Sequence, residues 1–479
     1  MSIGTAGHRR AIVALAWPVY VELLAGVVAG IIDVAWVAHL GPAPTAAVAL
    51  ATNLENLVLG LVYIAGAGTT VLVAARTTAD GRHAAIRGGA ALSAVITTAV
   101  VGGGLAFRAQ VVGLFFGAGE GDARRAALGY LAISVPGLAV YFGQIMVDAV
   151  FKGLGDTRTP MRLAMGANAL ILVLDPTLIY GLGLGVRGAA IATVTGRAAM
   201  LAVAALLVRR RVVKRRPAEL AHVLAATASA TPARHDFAGS APKAAPVALL
   251  DIAIPTAAGS TPRLPRSATL RDLARSALEV ARAGAPLGTD FIVRMAGATA
   301  LAGVVATFGV AAVAAYGIGT KAMYFASMAF YAVRQAATIH SARSAPDRRI
   351  GSAVLSVGAV LGLVAAVVSA AAAPWIMAAF TARPDVAAVG VVFLRWLALY
   401  LVPTSVVIGL SGVLAAGHGG RRLLPVTVVG TVLAVVLAHV LSGPFGLAGV
   451  WAAMAGSAAL QCAALLVLLG GAVSADTRP

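Results

Sequence analysis

The sequence predicts an all-α polytopic membrane protein with about twelve transmembrane helices in two six-helix lobes. Three observations predict it. Of 479 residues, 60% are hydrophobic and only 11% charged, whereas soluble domains carry about a quarter charged residues. Apolar runs of roughly 20 residues or more, enough to cross the hydrocarbon layer, recur along the chain. Lys and Arg gather at alternate ends of those runs, as membrane topology requires. This composition excludes a disordered chain, a soluble enzyme and a disulfide-stapled secreted domain; Cys462 is the single cysteine and has no internal partner. The net charge of +19 does not point to nucleic acid, because the basic residues end apolar runs instead of sharing one face with aromatics.

The first run, 11–40, holds Pro18, Glu22 and Asp33, and is too long and too acidic for a cleaved signal peptide. Runs at 46–75, 86–116, 126–151, 160–182 and 186–208 complete the first six. The fifth contains Asn168 and the Asp175-Pro176 pair, and GLGLG at 181–185 reads as a tight turn into the sixth. The second six lie at 289–313, 316–341, 350–380, 387–416, 423–442 and 446–472. Abundant Gly and Ala favour close-packed helices, and the short alternating segments of a lipid-facing barrel are not seen. Arg9, Arg10, Arg76, Arg82, Lys152, Arg158, the RRRVVKRR stretch at 209–216 and Arg343 mark one side of the membrane. That side is expected to be cytoplasmic, with both termini inside and the chain multi-pass in the cell's inner (cytoplasmic) membrane.

Residues 209–285 read as a basic, Pro/Ala-rich cytoplasmic linker between an N-terminal lobe, 1–208, and a C-terminal lobe, 286–479. Near its end Leu270, Leu273, Ala274, Ala277, Leu278 and Ala281 share one helical face, with Arg271, Asp272, Arg275, Glu279 and Arg282 opposite. This pattern predicts an amphipathic helix on the inner membrane surface. The lobes echo each other. GLGDTRTP at 153–160 aligns with AGHGGRRLLP at 416–425, and LGVRGAAIATVTG at 184–196 with FGLAGVWAAMAGS at 445–457. Gly185 and Gly188 then face Gly446 and Gly449, and Pro136 corresponds to Pro403, with offsets between 261 and 267. Such duplication characterises secondary transporters, whose sites lie where the repeats face each other.

Acids within spans are costly unless they face protein or water, so they are the first candidates for function. Asp33 lies about 33 Å along the first helix at 1.5 Å per residue, in the outer half of the membrane. Glu22, eleven residues earlier, shares its face, and Pro18 allows the helix to bend below both. Asp175 lies at the same depth in the fifth span, with Asn168 on the same face. Burial favours the neutral form of a carboxylate, so Asp33 and Asp175 are the expected cation-coupling residues. Glu22, Asn168, Tyr141 and Thr193 are expected to line a substrate cavity, with Pro18 as the helix bend. The competing reading is a carboxylate satisfied by neighbouring hydroxyls or amides, or an Asp-Pro pair that shapes a helix end. Glu55 and Asp148 have no partner that spacing can name. Lys152, Asp156, Arg158 and Arg162 surround a turn and read as solvated; Arg294, Lys321, Arg334 and Arg395 read as snorkelling or ion-paired. The eight histidines show no metal spacing, and no GxxxxGK[ST] segment would bind ATP. No resident cofactor is expected, only H+ or Na+ as coupling ion. The expected partners are a small organic substrate and the lipid bilayer, with no nucleic acid and no obligate protein partner.

Several segments resemble the multidrug and toxic compound extrusion (MATE) family. They are Pro18 with Ile32-Asp33 and His39-Leu40-Gly41, the turn from Lys152 to Met161 (KGLGDTRTPM), Leu174-Asp175-Pro176, and Gly185 to Thr193. The resemblance implies a twelve-helix antiporter that exports organic compounds, often cationic drugs, on an inward H+ or Na+ gradient. In its DinF-like branch the first-helix acid, here Asp33, serves H+ coupling, with Pro18 as the bend and Asp175 as the fifth-helix acid. Sodium-coupled members use acids in helices seven and ten. The charge pattern offers Arg294 near the first place and no acid within 387–416, so H+ is expected ahead of Na+. Arg294, Lys321 and Arg395 keep open the alternative of a lipid-linked precursor or polysaccharide flippase of the same superfamily.

Overall fold

A computed structural model describes residues 4–116, 121–228, 269–344, 347–416 and 420–475. Its elements are helical throughout: α1 (Thr5–Ala38), α2 (Pro42–Ala75), α3 (Ala79–Phe115), α4 (Gly121–Gly153), α5 (Arg158–Pro176), α6 (Val186–Ala228), α7 (Leu270–Ala306), α8 (Val310–Arg343), α9 (Arg348–Ala371), α10 (Ala373–Phe380), α11 (Pro384–Ala416) and α12 (Gly420–Ala475). A π-helical turn, Thr177–Gly181, follows α5. Ten segments are long and apolar enough to cross a membrane, the last of them 47 residues long. That last segment is two helices, broken at Gly446 with φ 58° and ψ −143°. Ser457 Oγ donates to the Gly430 carbonyl, so the chain folds back and the halves of α12 pack antiparallel.

The repeat inferred from sequence is visible in the backbone. Gly185 and Gly446 adopt φ of 53° and 58°, a left-handed conformation open to glycine and strained for other residues. A Cβ on Gly188 would lie 2.7 Å from the Leu178 backbone and one on Gly449 2.2 Å from the Leu441 carbonyl, so each helix start is pressed against the preceding segment. Pro136 lies within α4 and Pro403 within α11. The KGLGDTRTPM turn is built by Gly155 at φ 80° and by Asp156, whose Oδ1 accepts from the Arg158 and Thr159 amides at 3.1 and 3.0 Å.

The structure corrects the reading of the stretch before the seventh span. Thr269 and Asp272 form a reciprocal capping box, and α7 runs unbroken from Leu270 through residues 285 and 286. The helix docks on protein through Ser276, Glu279 and Val280, while Leu270, Leu273 and Leu278 of the predicted apolar face stay exposed. Val280 is fully buried, its carbonyl would lie 2.0 Å from a Cβ on Gly68, and the Ser276 backbone 2.5 Å from one on Gly88. Glu279 is ion-paired with Arg76 at the end of α2. Likewise α6 continues past residue 208 to Ala228. The remainder of the expected linker, 229–268, lies outside the described residues.

Two groups of helices result. In the first, α2 packs on α3 and α4, α4 on α6, and α5 on α1 and α6; in the second, α11 packs on α8, α9 and α12, and α12 on α7. They join through α1 against α8 and α9, and through α2 and α3 against α7. Every joining core lies toward the end that carries the N-terminus. Ile12, Ala16 and Val19 pack with Val333, Ala336, Ala337 and Ile350, and Phe291 packs with Leu59 and Val62. Toward the other end the cores are separate: one gathers Val37, Ala47, Ala51, Leu131 and Ile179, another Leu301, Tyr316, Phe393 and Trp451. The groups therefore close at the N-terminal end and part toward the opposite end.

Small residues and a polar latch seal the closed end. A Cβ on Gly284 would lie 1.8 Å from the Ile64 carbonyl, so α2 and α7 meet backbone to backbone. His8 on α1 reaches both His340 Nε2 at 2.8 Å and Asp347 Oδ2 at 3.1 Å. With Nε2–H donating to Asp347, His8 Nδ1 is left to accept from His340. The Arg349 amide, and then His8, hold the Asp347 carboxyl below its ordinary range.

Two outcomes follow at this end. Gly284→Val should push α7 off α2, lowering stability by about 1–3 kcal/mol, read as a lower melting midpoint in detergent. Acidification should loosen the latch once the Asp347 carboxylate is protonated. The lowered Asp347 pKa contributes fully above the ordinary aspartate value near 3.9 and is lost only as pH falls through its lower folded value. Labelling of a cysteine placed at the closed end should therefore rise in that acidic range, and change less with pH in Asp347→Asn.

Candidate functional site

The first group of helices gathers charge where it begins to part from the second. Asp33 lies five residues before the end of α1, and Asp175 one before the end of α5. Pro176 and the π-helical turn behind it carry Tyr180 back onto α1, where its hydroxyl donates to the Trp36 carbonyl and its ring meets Trp36 edge-on at 6.0 Å. This clasp holds the ends of α1 and α5 together, bringing Asp33 and Asp175 within electrostatic reach of each other. Such π turns recur at functional sites, where they re-aim side chains. Glu55 of α2 and Arg197 of α6 complete the group, both acting electrostatically on Asp33.

Glu55, Tyr130, Ser134, Thr193 and Arg197 line one cavity. The Arg197 guanidinium sits 3.8 Å over the Tyr141 ring, a cation–π contact that aims it across the cavity. Asp33 and Glu55 thus share one guanidinium, and Asp175 adds a third carboxylate beside Asp33. Asp33 Oδ1, Asp175 Oδ1 and Trp36 Nε1 are buried without a hydrogen-bond partner, and Asp175 is only 1% exposed. Buried polar atoms are normally paired, so unpaired ones on two neighbouring carboxylates mark a place able to receive a ligand. Among the described residues no cluster of three or more His, Cys, Asp or Glu could hold a metal ion.

The expected residues divide between locations. Thr193 and Tyr141 join the cavity through Arg197, while Asn168 is half-buried on α5, two turns before Asp175. Glu22 lies elsewhere, its Oε1 accepting from Lys152 Nζ at 2.7 Å, with Asp148 beside this pair. Lys152 is 8% exposed, so it is no solvated loop charge; the α4 terminus is packed against Val73 and Thr70 of α2. Glu55 and Arg197 could not be joined from spacing, since 142 residues separate them. Arg197 alone was findable, as a cation about 16 Å into the sixth helix.

The second group also holds a buried acid, at a place where the charge pattern singles out Arg294 instead. Asp290 of α7 is fully buried. It takes Arg294 Nε at 3.1 Å, Arg334 Nη1 at 2.8 Å and the Thr427 hydroxyl at 2.7 Å. Helix seven therefore does carry an acid, neutralised by two guanidiniums. Glu22 and Asp290 are 268 residues apart, as are Tyr63 and Tyr331, and Gly41 and Gly309. Gly41 and Gly309 cap α2 and α8 with φ of 109° and 93°, so the two buried ion pairs occupy matching positions of the repeat.

Comparison with known proteins gives a consistent result. The family profile described as MatE matches residues 18–177 and 286–440. The chain is 29% identical over 197 residues to "Protein DETOXIFICATION 44, chloroplastic" of Arabidopsis thaliana, covering 38% of each chain. It is 29% identical over 195 residues to "Probable multidrug resistance protein NorM" of Thermotoga maritima, covering 40% of this chain and 42% of that one. These matches span about two-fifths of each relative's length. In fold it is similar to a mutant of the Vibrio cholerae MATE transporter VcmN, with a TM-score of 0.81 at 16% identity, covering 99% of this chain and 98% of that one.

The Glu22–Lys152 pair has a direct test. Lys152→Met leaves a buried carboxylate unpaired and should cost about 3–5 kcal/mol, seen as a large drop in melting midpoint. The double variant with Glu22→Gln should recover most of that loss.

Proposed function

Because the chain belongs to the MATE (MatE) family, we propose that it is an antiporter of the DinF-like type, exporting organic and mainly cationic compounds in exchange for H+. It works by alternating access in the inner (cytoplasmic) membrane, with both termini inside. Residues 1–208 and 286–479 form the moving lobes, and 209–285 their cytoplasmic connection, into which α6 and α7 extend.

One observation carries this reading: Asp33 and Glu55 share the cation Arg197, Asp175 adds a further carboxylate beside Asp33, and the Oδ1 atoms of both aspartates are buried without partners. One guanidinium cannot neutralise three carboxylates, and in a low dielectric the excess charge is expensive. A proton or a cationic cargo removes it, so the two compete for the same group. With the cleft open to the outside, a proton neutralises Asp33 and cargo leaves. With the closed end opened, the proton departs inward and new cargo binds. Pro18 supplies the bend in α1 that carries Asp33 between these states. Nothing covalent is needed; the coupling is exclusion of one ligand by the other.

Flipping of a lipid-linked precursor or polysaccharide is the second reading. It draws support from Lys321 and Arg395, which are exposed on α8 and α11.

In everted vesicles, accumulation of a cationic dye driven by a pH gradient should fall to background in Asp33→Asn. It should fall at least about tenfold in Asp175→Asn, the scale of one charge-assisted contact. Replacing the pH gradient by a Na+ gradient should leave wild-type vesicles inactive. Proton-driven uptake that survives Asp33→Asn would defeat the assignment.

A further inference from the structure

The two walls of the cleft carry opposite charge. The first group gathers Asp33, Glu55 and Asp175 with Arg197 beside the first two, whereas the second sets Arg294 and Arg334 against the single carboxylate of Asp290. Asp290 is already engaged, its Oδ1 accepting from Arg294 and Thr427 and its Oδ2 in ion-pair contact, without a hydrogen bond, with Arg334. Both arginines nevertheless have donors to spare: Arg294 Nη2 and Arg334 Nη2 are buried with no hydrogen-bond partner. Arg334 as a whole is 6% exposed, and the Arg294 side chain remains reachable at 17%.

Their position favours a ligand. Phe291 and Ile292, on the turn before Arg294, touch Tyr63 and Gly60 of α2 and form the floor where the groups meet. Arg294 is therefore the first charged side chain of α7 above that floor. Tyr331 lies 5.9 Å beneath the Arg334 guanidinium, and the Tyr331 and Tyr400 hydroxyls act electrostatically on Arg294. Two forked guanidiniums with unused nitrogens and nearby phenols match a planar or tetrahedral oxyanion. A purely structural staple across α7, α8 and α12 needs only one cation for its one carboxylate.

We propose that Arg294 and Arg334 form a subsite for an anionic oxygen group, a carboxylate or phosphate, on the carried molecule. This makes zwitterions and organic anions part of its cargo. The proposal rests on the export reading for its place in the transport cleft, but its binding test does not.

The test uses two dyes with a common xanthene frame and opposite charge, carboxyfluorescein and rhodamine 6G, bound to the purified full chain and read by fluorescence polarisation. Carboxyfluorescein should bind wild type and bind Arg294→Gln about tenfold more weakly, the scale of one lost charge-assisted contact. Arg294→Gln leaves the Asp290–Arg334–Thr427 links in place, and its melting midpoint confirms folding; Arg294→Lys, which keeps the charge, should lose less. Asp33→Asn should abolish rhodamine 6G binding and leave carboxyfluorescein binding unchanged. Failure of wild type to bind rhodamine 6G while carboxyfluorescein still binds would count against the cation reading and not against this one. Displacement of carboxyfluorescein by inorganic phosphate identifies a soluble anion, and displacement only by dihexanoyl phosphatidic acid a lipid headgroup; either supports the subsite. Absence of carboxyfluorescein binding to wild type would overturn the proposal, as would equal affinity in Arg294→Gln and Arg334→Gln.

Discussion

Charge buried away from water must be neutralised, and the way each intramembrane charge meets that demand organises this molecule. Glu22 is matched by Lys152 and Asp290 by Arg294 and Arg334. Those carboxylates each have a cation in direct contact, and their links tie α1 to α4 and α7 to α8 and α12. Asp33, Glu55 and Asp175 are different, because Asp33 and Glu55 share Arg197 and Asp175 meets only the charge of Asp33. The same physical rule that makes the first set structural leaves the second set unsatisfied, and therefore able to respond to an added cation or proton.

The fold places this imbalance where it can act. Helices α1 and α2 cross the boundary between the groups, closing it with small residues at one end and carrying Asp33 and Glu55 toward the other. Because Gly284 meets the backbone at Ile64, separating the groups breaks a dry, well-fitted contact in discrete steps, and packed interfaces of this kind favour two states over a continuum. A charge change on α1 can bias such an equilibrium only if it is felt differently in the two states. Asp33, near the end of the helix whose first turns hold the His8 latch, is placed for that.

Much of this was legible from residue order. Apolar runs located the helices because twenty apolar residues have few other homes in a cell. The Gly185/Gly446 correspondence exposed the repeat because left-handed backbone is written in the sequence as glycine. Local signals failed where partners are distant. Lys152 looks like a loop charge until α1 brings Glu22 beside it, and Glu55 has no visible role until α6 brings Arg197. The stretch at 270–281 shows its periodicity but not its docking, since Val280 and Glu279, which meet α2, lie beside the apolar face and not on it. Asp290 sits four residues before a more conspicuous arginine, and only the fold shows that the two neutralise each other.

Proton release on cargo binding tests the central claim most directly. Calorimetric titration of rhodamine 6G into the purified chain, in buffers of different ionisation enthalpy, counts the protons expelled. If Asp33 and its neighbours hold either a proton or a cation, wild type should release about one proton per dye bound at a pH where the free site is protonated, and Asp33→Asn none. Dye binding with no proton release, or the same release from Asp33→Asn, would contradict the account.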